Sequence, residues 1–436
     1  MPSSAFHPRP RLIVRPVLLA AVALGAFAQS NPPPADISYR ADIRQDFIKF
    51  DPNYRELRSA LIPRARALGQ QVFAAEKQGR DVACAHQIIL EIKWLFEYTA
   101  DFARIAHRLD DLDRALAHPE SQPAGRLQNP ADGACGQCYT EWFFRLDATY
   151  DYLKETSPTY PLRFLDRVNS PEKLRAYFAT VSTSDIARTG LNHRRELNES
   201  LADLLRLILH DQPAGYSWTP DMKSAMLDLI LHRLRNPETG WWGARYLHNG
   251  KTYFVDDISI TFHMLSYLNG NVPDLSKVLH TALALKDLDY PQGWLEDGQY
   301  TNHNNMDAVV LFHYGWSAAT PAEKAVIAAE IRKMLAWCLA DSLQSDGSFR
   351  SSPADDSIEE AEYFGAAFLA RIGFFDKSRR FWTTEDFAQS AAVPNPDEIR
   401  RRIRAFIAAH RSTGAAGGSY YISALEQLDA ATSPNP

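Results

Sequence analysis

Thr239-Gly240-Trp241-Trp242, Gln292-Gly293-Trp294-Leu295 and Asp346-Gly347-Ser348-Phe349 place their glycines 53 and then 54 positions apart. A second echo lies downstream of the first two. Asp257-Ile258-Ser259-Ile260-Thr261-Phe262-His263 and Asp307-Ala308-Val309-Val310-Leu311-Phe312-His313 share the spacing Asp-x-x-aliphatic-x-Phe-His. A period of about 50 residues, punctuated by Gly-aromatic turns and filled with helix-forming sequence, is what stacked helical hairpins produce.

Working outward from these turns, nearly every stretch carries helical periodicity. The reading predicts helices over 55–78, 84–117, 141–154, 171–182, 195–210, 220–235, 257–269, 275–286, 306–316, 322–343, 358–373 and 397–411. Extended structure is expected only over Lys251–Val255, and the Pro- and Gly-rich segment 118–138 is expected as a long loop. The expected fold class is all-α, a single α/α toroid of about six stacked helical hairpins over 43–428, with an open solenoid as the alternative. Mobile segments are expected at Gly414–Gly418 and at the C-terminus, with 429–436 as a flexible tail.

Arg9, Arg11 and Arg15 precede an apolar run from Val17 to Ala28 that ends in Ala26-Phe27-Ala28, a small-x-small cleavage site. Residues 1–28 therefore read as a signal peptide and 29–42 as a disordered lead-in, which places the protein in the periplasm or outside the cell. Removing the leader leaves 44 basic against 53 acidic residues. That balance, with no long Lys/Arg run, excludes general nucleic-acid binding and disfavours a broad grip on an anionic polymer. No later segment is apolar for eighteen residues, so no membrane span is expected after cleavage. Of the four cysteines, Cys84, Cys135, Cys138 and Cys338, an exported chain favours disulfide use with three connectivities open. Free thiols, or a half zinc site at Cys135-Gly-Gln-Cys138, are the alternatives.

Gln344-Ser345-Asp346-Gly347-Ser348-Phe349 resembles the Q-x-x-D-G-S-F element of the α/α-toroid superfamily that contains terpenoid cyclases and protein prenyltransferases, one residue shorter between Gln and Asp. The resemblance covers about 220–375 and implies hairpin stacking. The chemistry does not follow with it, because the Asp-x-Asp-Asp motif of squalene-type cyclases and the zinc ligands of the prenyltransferases have no counterparts. No cofactor and no metal are expected.

Four groups of residues could carry a reaction. Asp257 and Asp307 begin predicted helices in equivalent repeats. Two carboxylates in one cavity are the minimum equipment for glycoside hydrolysis, although Asp at a helix start also caps free N–H groups. Gln299-Tyr300-Thr301-Asn302-His303-Asn304-Asn305-Met306-Asp307 is the densest polar stretch. Its Asn, His and Tyr resemble the kit of helical-ring polysaccharide lyases. There, Asn and His neutralise a sugar carboxylate while Tyr or His takes the C5 proton; Asn192-His193-Arg194 looks like a second contribution. Trp241, Trp242 and Trp294 form a candidate sugar platform, or pack the repeat, with Arg245 as carboxylate partner. His263 and His313 sit in apolar runs and read as core residues. Asp355-Asp356-Ser-Ile-Glu359-Glu360 reads as a solvated acidic first turn.

The expected function is an exported carbohydrate-active enzyme, a polysaccharide lyase or glycoside hydrolase. Its catalytic candidates are Asp257, Asp307, Tyr300 and His303, and its substrate-binding candidates are Trp241, Trp242, Arg245, Trp294 and Asn305. The rival is a non-catalytic binding or scaffold protein of the cell envelope. Sugar identity and oligomeric state are not legible.

Overall fold

The structure is a computed structural model. It describes residues 37–38, 53–123, 125, 127–351, 358–390, 393–410 and 418–430. The signal peptide, Asp355-Asp356, Gly414–Gly417 and the last six residues lie outside them.

The described chain is mostly helical. In order it runs β1 (Ile37–Ser38), α1 (Asn53–Lys77), α2 (Ala83–Tyr98), α3 (Phe102–Ala117), α4 (Trp142–Glu155), α5 (Pro171–Val181), β2 (Thr183–Ser184), α6 (Ile186–Thr189) and α7 (Arg194–Leu209). It continues through α8 (Pro220–Asp228), β3 (Gly243–His248), β4 (Lys251–Asp256), α9 (Ile258–Tyr267), α10 (Leu275–Leu285), α11 (Asn302–Gly315), α12 (Pro321–Trp337), α13 (Ile358–Arg371), α14 (Pro396–His410) and α15 (Gly418–Ala430). The all-α class therefore holds in its broad form, with a small sheet added.

One series of helices, α4, α7, α9, α11, α13 and α15, packs each on the next in chain order. Others lie against that series: α8 on α7, α10 and α12 on α11, and α14 on α15. Helix α11 is buried all round in its second half, where Val309, Val310, Leu311 and Phe312 expose 1% or less. A helix apolar on every side belongs in the interior rather than at a surface.

The Gly-aromatic turns do the same job three times. Each is closed by one backbone bridge, Asn236 N to Trp241 O (2.7 Å), Tyr290 N to Leu295 O (2.7 Å) and Gln344 N to Ser348 O (2.8 Å). Each lies between one helix of a pair and the next, after α8, α10 and α12. A Cβ on Gly293 would meet Leu288 O at 2.1 Å, and one on Gly347 would meet Arg402 O at 2.4 Å in a backbone with φ +97°. Only glycine fits either place. The aromatic that follows is core. Phe349 fills the space over Gly365 of α13, where a Cβ would stand 2.4 Å from its ring.

Three features depart from the sequence reading. The expected short extended piece is half of a hairpin: β3 and β4 pair antiparallel from Gly243↔Asp256 to His248↔Lys251. Parallel β2 and β1 flank it in the order β1-β4-β3-β2. Ile37–Ser38, inside the segment expected to be disordered, is thus a strand on β4. Helix α15 occupies sequence left without a predicted helix, and packs its Ala424 and Leu428 into the core.

Cys84 and Cys138 form a disulfide, while Cys135 and Cys338 are free and buried. The CxxC pair is therefore split between a bridge and a thiol. Among the described residues no group of three or more His, Cys, Asp or Glu is placed to hold a metal. No helix among them is long and apolar enough to cross a membrane.

Candidate functional site

A cavity of about 780 Å³ lies among the packed helices. Residues of α2, α4, α7, α9, α11, α13 and α15 line it together with β3 and the loops before α7 and α11. Eight carboxylates, three arginines, two lysines, two histidines and six tyrosines reach it. A wall of phenols, charges and amides with few aliphatic groups suits a polar, hydroxyl-rich ligand rather than an apolar one.

The densest contacts centre on Arg194, in the first turn of α7. Its Nε and Nη2 donate to Asp257 Oδ2 (2.5 Å) and Oδ1 (3.1 Å), and Nη1 donates to the Tyr98 hydroxyl (3.1 Å). The Tyr290 ring lies under the guanidinium at 5.0 Å. A guanidinium carries five N–H donors. Three are used, which leaves one on each terminal nitrogen. Asn192 stands beside it: its Oδ1 accepts from Arg194 N (3.0 Å) and from the Tyr246 hydroxyl (3.3 Å). With the oxygen so held, the amide Nδ2 is left as the donor for a ligand. Burial pushes the Tyr246 phenol upward, more than Arg194 beside it pulls it down, so the phenol keeps its proton.

Asp257 is both a cap and an ion-pair partner. Its Oδ1 accepts from Ser259 N (3.0 Å) and Ile260 N (3.2 Å) at the start of α9, while Arg194 forks onto both oxygens. Asp307 differs from its echo. Helix α11 begins five residues before Asp307, capped by Thr301 (Asn304 N to Oγ1, 3.1 Å), so Asp307 lies in the second turn. It is fully buried and neither oxygen has a hydrogen-bond partner. Burial, then the charge of Asp257, raise its carboxyl well above the usual range.

A second group sits further along α7. Arg206 is held between the rings of Tyr150 (3.9 Å) and Tyr267 (4.7 Å), with Nη2 on Asp203 Oδ1 (2.5 Å) and Nε on Ala202 O (3.1 Å). His263 shares this region through Tyr267, Nδ1 to the hydroxyl at 3.1 Å. Burial, then Arg206, lower its imidazole to about 3, so it is neutral. Asp147 of α4 also faces the cavity, its carboxyl raised by burial and then by Asp203.

Of the nine site residues expected from sequence, Asp257 and His303 line the cavity. The His303 ring stacks on Phe364 at 3.9 Å. The tryptophans are corrected from platform to core. Trp241, Trp242 and Trp294 are fully buried, with Trp241 Nε1 on Val278 O and Trp242 Nε1 on Ile230 O, both 2.8 Å. Arg245 turns to the side of β3 opposite Ala244 and Tyr246 and donates to Arg233 O, because successive strand residues face opposite ways. Tyr300 is outside the lining and donates to Glu330 Oε2 (3.4 Å), and Asn305 is buried away from it. His263, expected as a core residue, reaches the cavity instead. Asn198 is buried, with Nδ2 on Ser259 Oγ (3.0 Å).

No protein-family model, curated protein or solved structure matches the chain. Its function is argued from this geometry alone.

Proposed function

We propose that the chain is an exported polysaccharide lyase that cleaves a uronic-acid polymer in the cavity, with its alternating helices closed as an α/α toroid. The observation that carries the reading is Arg194 standing with Asn192 and Tyr246 on one wall. Two unused guanidinium N–H groups and an amide N–H form a donor set for a planar carboxylate. Holding that carboxylate lowers the cost of removing the C5 proton next to it.

In this mechanism His303 takes the C5 proton, and the electron pair forms the C4–C5 double bond as the C4–O bond breaks. Tyr246 turns its hydroxyl from Asn192 Oδ1 to the departing oxygen and passes it the proton, and after release of the product solvent carries the proton taken by His303 back to the phenolate. The carboxylate pair proposed from sequence fits hydrolysis less well. Asp257 has both oxygens engaged, and Asp307 has no surface in the cavity. A second reading, glycoside hydrolysis, is favoured by Asp147, whose raised carboxyl in the cavity wall is the state a general acid needs.

The test is a panel of neutral and uronic-acid polysaccharides, read by ultraviolet absorbance of the unsaturated product and by reducing ends. Absorbance on a polyuronate, abolished in Tyr246→Phe and His303→Ala but retained in Tyr300→Phe, supports the lyase. Reducing ends without that absorbance, abolished in Asp147→Asn, establish hydrolysis instead. Silence on every polymer with the protein folded favours a binding or scaffold role.

A further inference from the structure

We propose that Arg206 anchors a second acidic-sugar subsite, so that the cavity holds a chain of several uronic-acid residues rather than a single one. The proposal rests on the lyase reading for the class of sugar.

Arg206 lies twelve residues beyond Arg194 on α7 and lines the same cavity. At ~1.5 Å per residue the two Cα atoms are ~18 Å apart, longer than a disaccharide and within reach of a short oligosaccharide. The side chain is built in place. Two tyrosine rings cover its guanidinium, and Nε and Nη2 are taken by Ala202 O and Asp203. That leaves both N–H groups of Nη1 and one of Nη2 for a ligand. A guanidinium fixed in this way loses little further freedom when it binds an anion.

The acids nearby do not make the place repulsive to a carboxylate. Asp151 is paired with Lys154 at 2.5 Å, Glu199 with Arg195 at 3.6 Å, and Asp203 with Arg206 itself. Asp147 remains: it lines the cavity with Arg206, and burial, then Asp203, raise its carboxyl above the usual range, which lessens its repulsion of an anion. In the lyase reading its place is therefore the wall of this subsite.

The experiment compares homo-oligouronates of two and six residues, with Kd from calorimetry in the His303→Ala protein and kcat/KM in the otherwise wild-type enzyme. Arg206→Gln is expected to weaken the hexauronate roughly tenfold more than the diuronate, the size of one lost charge-assisted hydrogen bond. Asp147→Ala, on the cavity wall, gives the same length-dependent loss and covers the case in which Arg206→Gln does not fold. An equal effect on both lengths, or none, in a folded variant overturns the subsite. If product absorbance appears without any length dependence, the subsite alone falls. Length-dependent binding without product absorbance leaves the subsite standing and sinks the lyase reading. If the protein neither binds nor cleaves any uronate, both fall.

Discussion

Replacing Asp257 by asparagine separates its two structural jobs. The Arg194 and Asp257 side chains are 12% and 2% exposed, so their bidentate pair is a buried one. Breaking such a pair by removing one partner costs about 3–5 kcal/mol, because the other charge stays buried without its counter-ion. Asparagine caps a helix about as well as aspartate, so the Ser259 and Ile260 N–H donors of α9 keep their acceptor. Asp257→Asn is therefore expected to lose about 3–5 kcal/mol, and Asp257→Ala roughly 1 kcal/mol more for the cap. Asp307 complicates this in a checkable way. With Asp257 neutral, the repulsion that adds to burial in keeping Asp307 protonated is gone and Arg194 lacks an anion, so the Asp307 carboxyl shifts downward and its anion partly replaces the lost charge. Urea unfolding followed by circular dichroism at pH 8 should give Asp257→Asn/Asp307→Asn a larger loss than the two single changes added together. A loss below about 1 kcal/mol for Asp257→Asn, the range of an exposed pair, would refute the buried-pair argument. Simple additivity in the double variant would refute the exchange of counter-ions.

Three further outcomes are expected. Asp307→Asn alone should stabilise the fold at pH 8 and change it little at pH 4: the unfolded aspartate releases its proton near ~4 while the folded one holds it, so the wild-type penalty appears only as pH rises past that value. Urea midpoints at the two pH values check this, and a variant that is no more stable at pH 8 speaks against it. Cys84 and Cys138 are 54 residues apart, and opening a loop of that size by Cys84→Ser should cost about 4 kcal/mol on the chain-entropy account. Denaturation with and without reductant measures it, and thiol titration of the unfolded, unreduced protein should find Cys135 and Cys338 alone. Gly293→Ala brings a Cβ within 2.1 Å of a carbonyl that belongs to the backbone, and should cost roughly 1–3 kcal/mol or more in the same assay. A neutral result there would mean the turn is not the fixed joint described.

The helices were legible because the turns and the 3.6-residue period agree, and most predicted spans match an observed one within a few residues; the run expected over 84–117 is instead two helices, broken at Thr99–Asp101 where Asp101 caps α3. Where they differ, a competing local rule is identifiable. Asparagine favours turns over helix interiors, so Asn302, Asn304 and Asn305 read as loop. The Thr301 cap and complete burial place them in the first turn of α11 instead. The β3–β4 hairpin did carry its mark. Asn249-Gly250 sits between two runs that hold aromatic and β-branched residues, and both adopt positive φ (50° and 74°), as a tight hairpin turn requires.

The site was less legible, for a reason that applies to any cavity lined by helix faces. A helix face carrying Arg194, Arg195, Asn198, Glu199 and Arg206 has the spacing of a solvated surface, and sequence periodicity reports only that the face is not apolar. Whether such a stripe meets bulk water or an internal cavity is decided by how the other helices pack against the rest of the helix. The tryptophans show the converse. Beside a repeated glycine they could have been ligand platform or packing, and burial in the core decides for packing. Equivalent sequence spacing was also not equivalent place: Asp257 precedes its helix and Asp307 lies a turn and a half inside one. The 50-residue repeat thus marks the turns, while the residues on which the proposed chemistry rests, Asn192 in the loop before α7, Arg194 and Arg206 on α7 and Tyr246 on the hairpin, fall outside it. The three turns are alike because each closes the same kind of backbone bridge beside a buried aromatic, whereas the side chains lining a cavity are under no such common constraint.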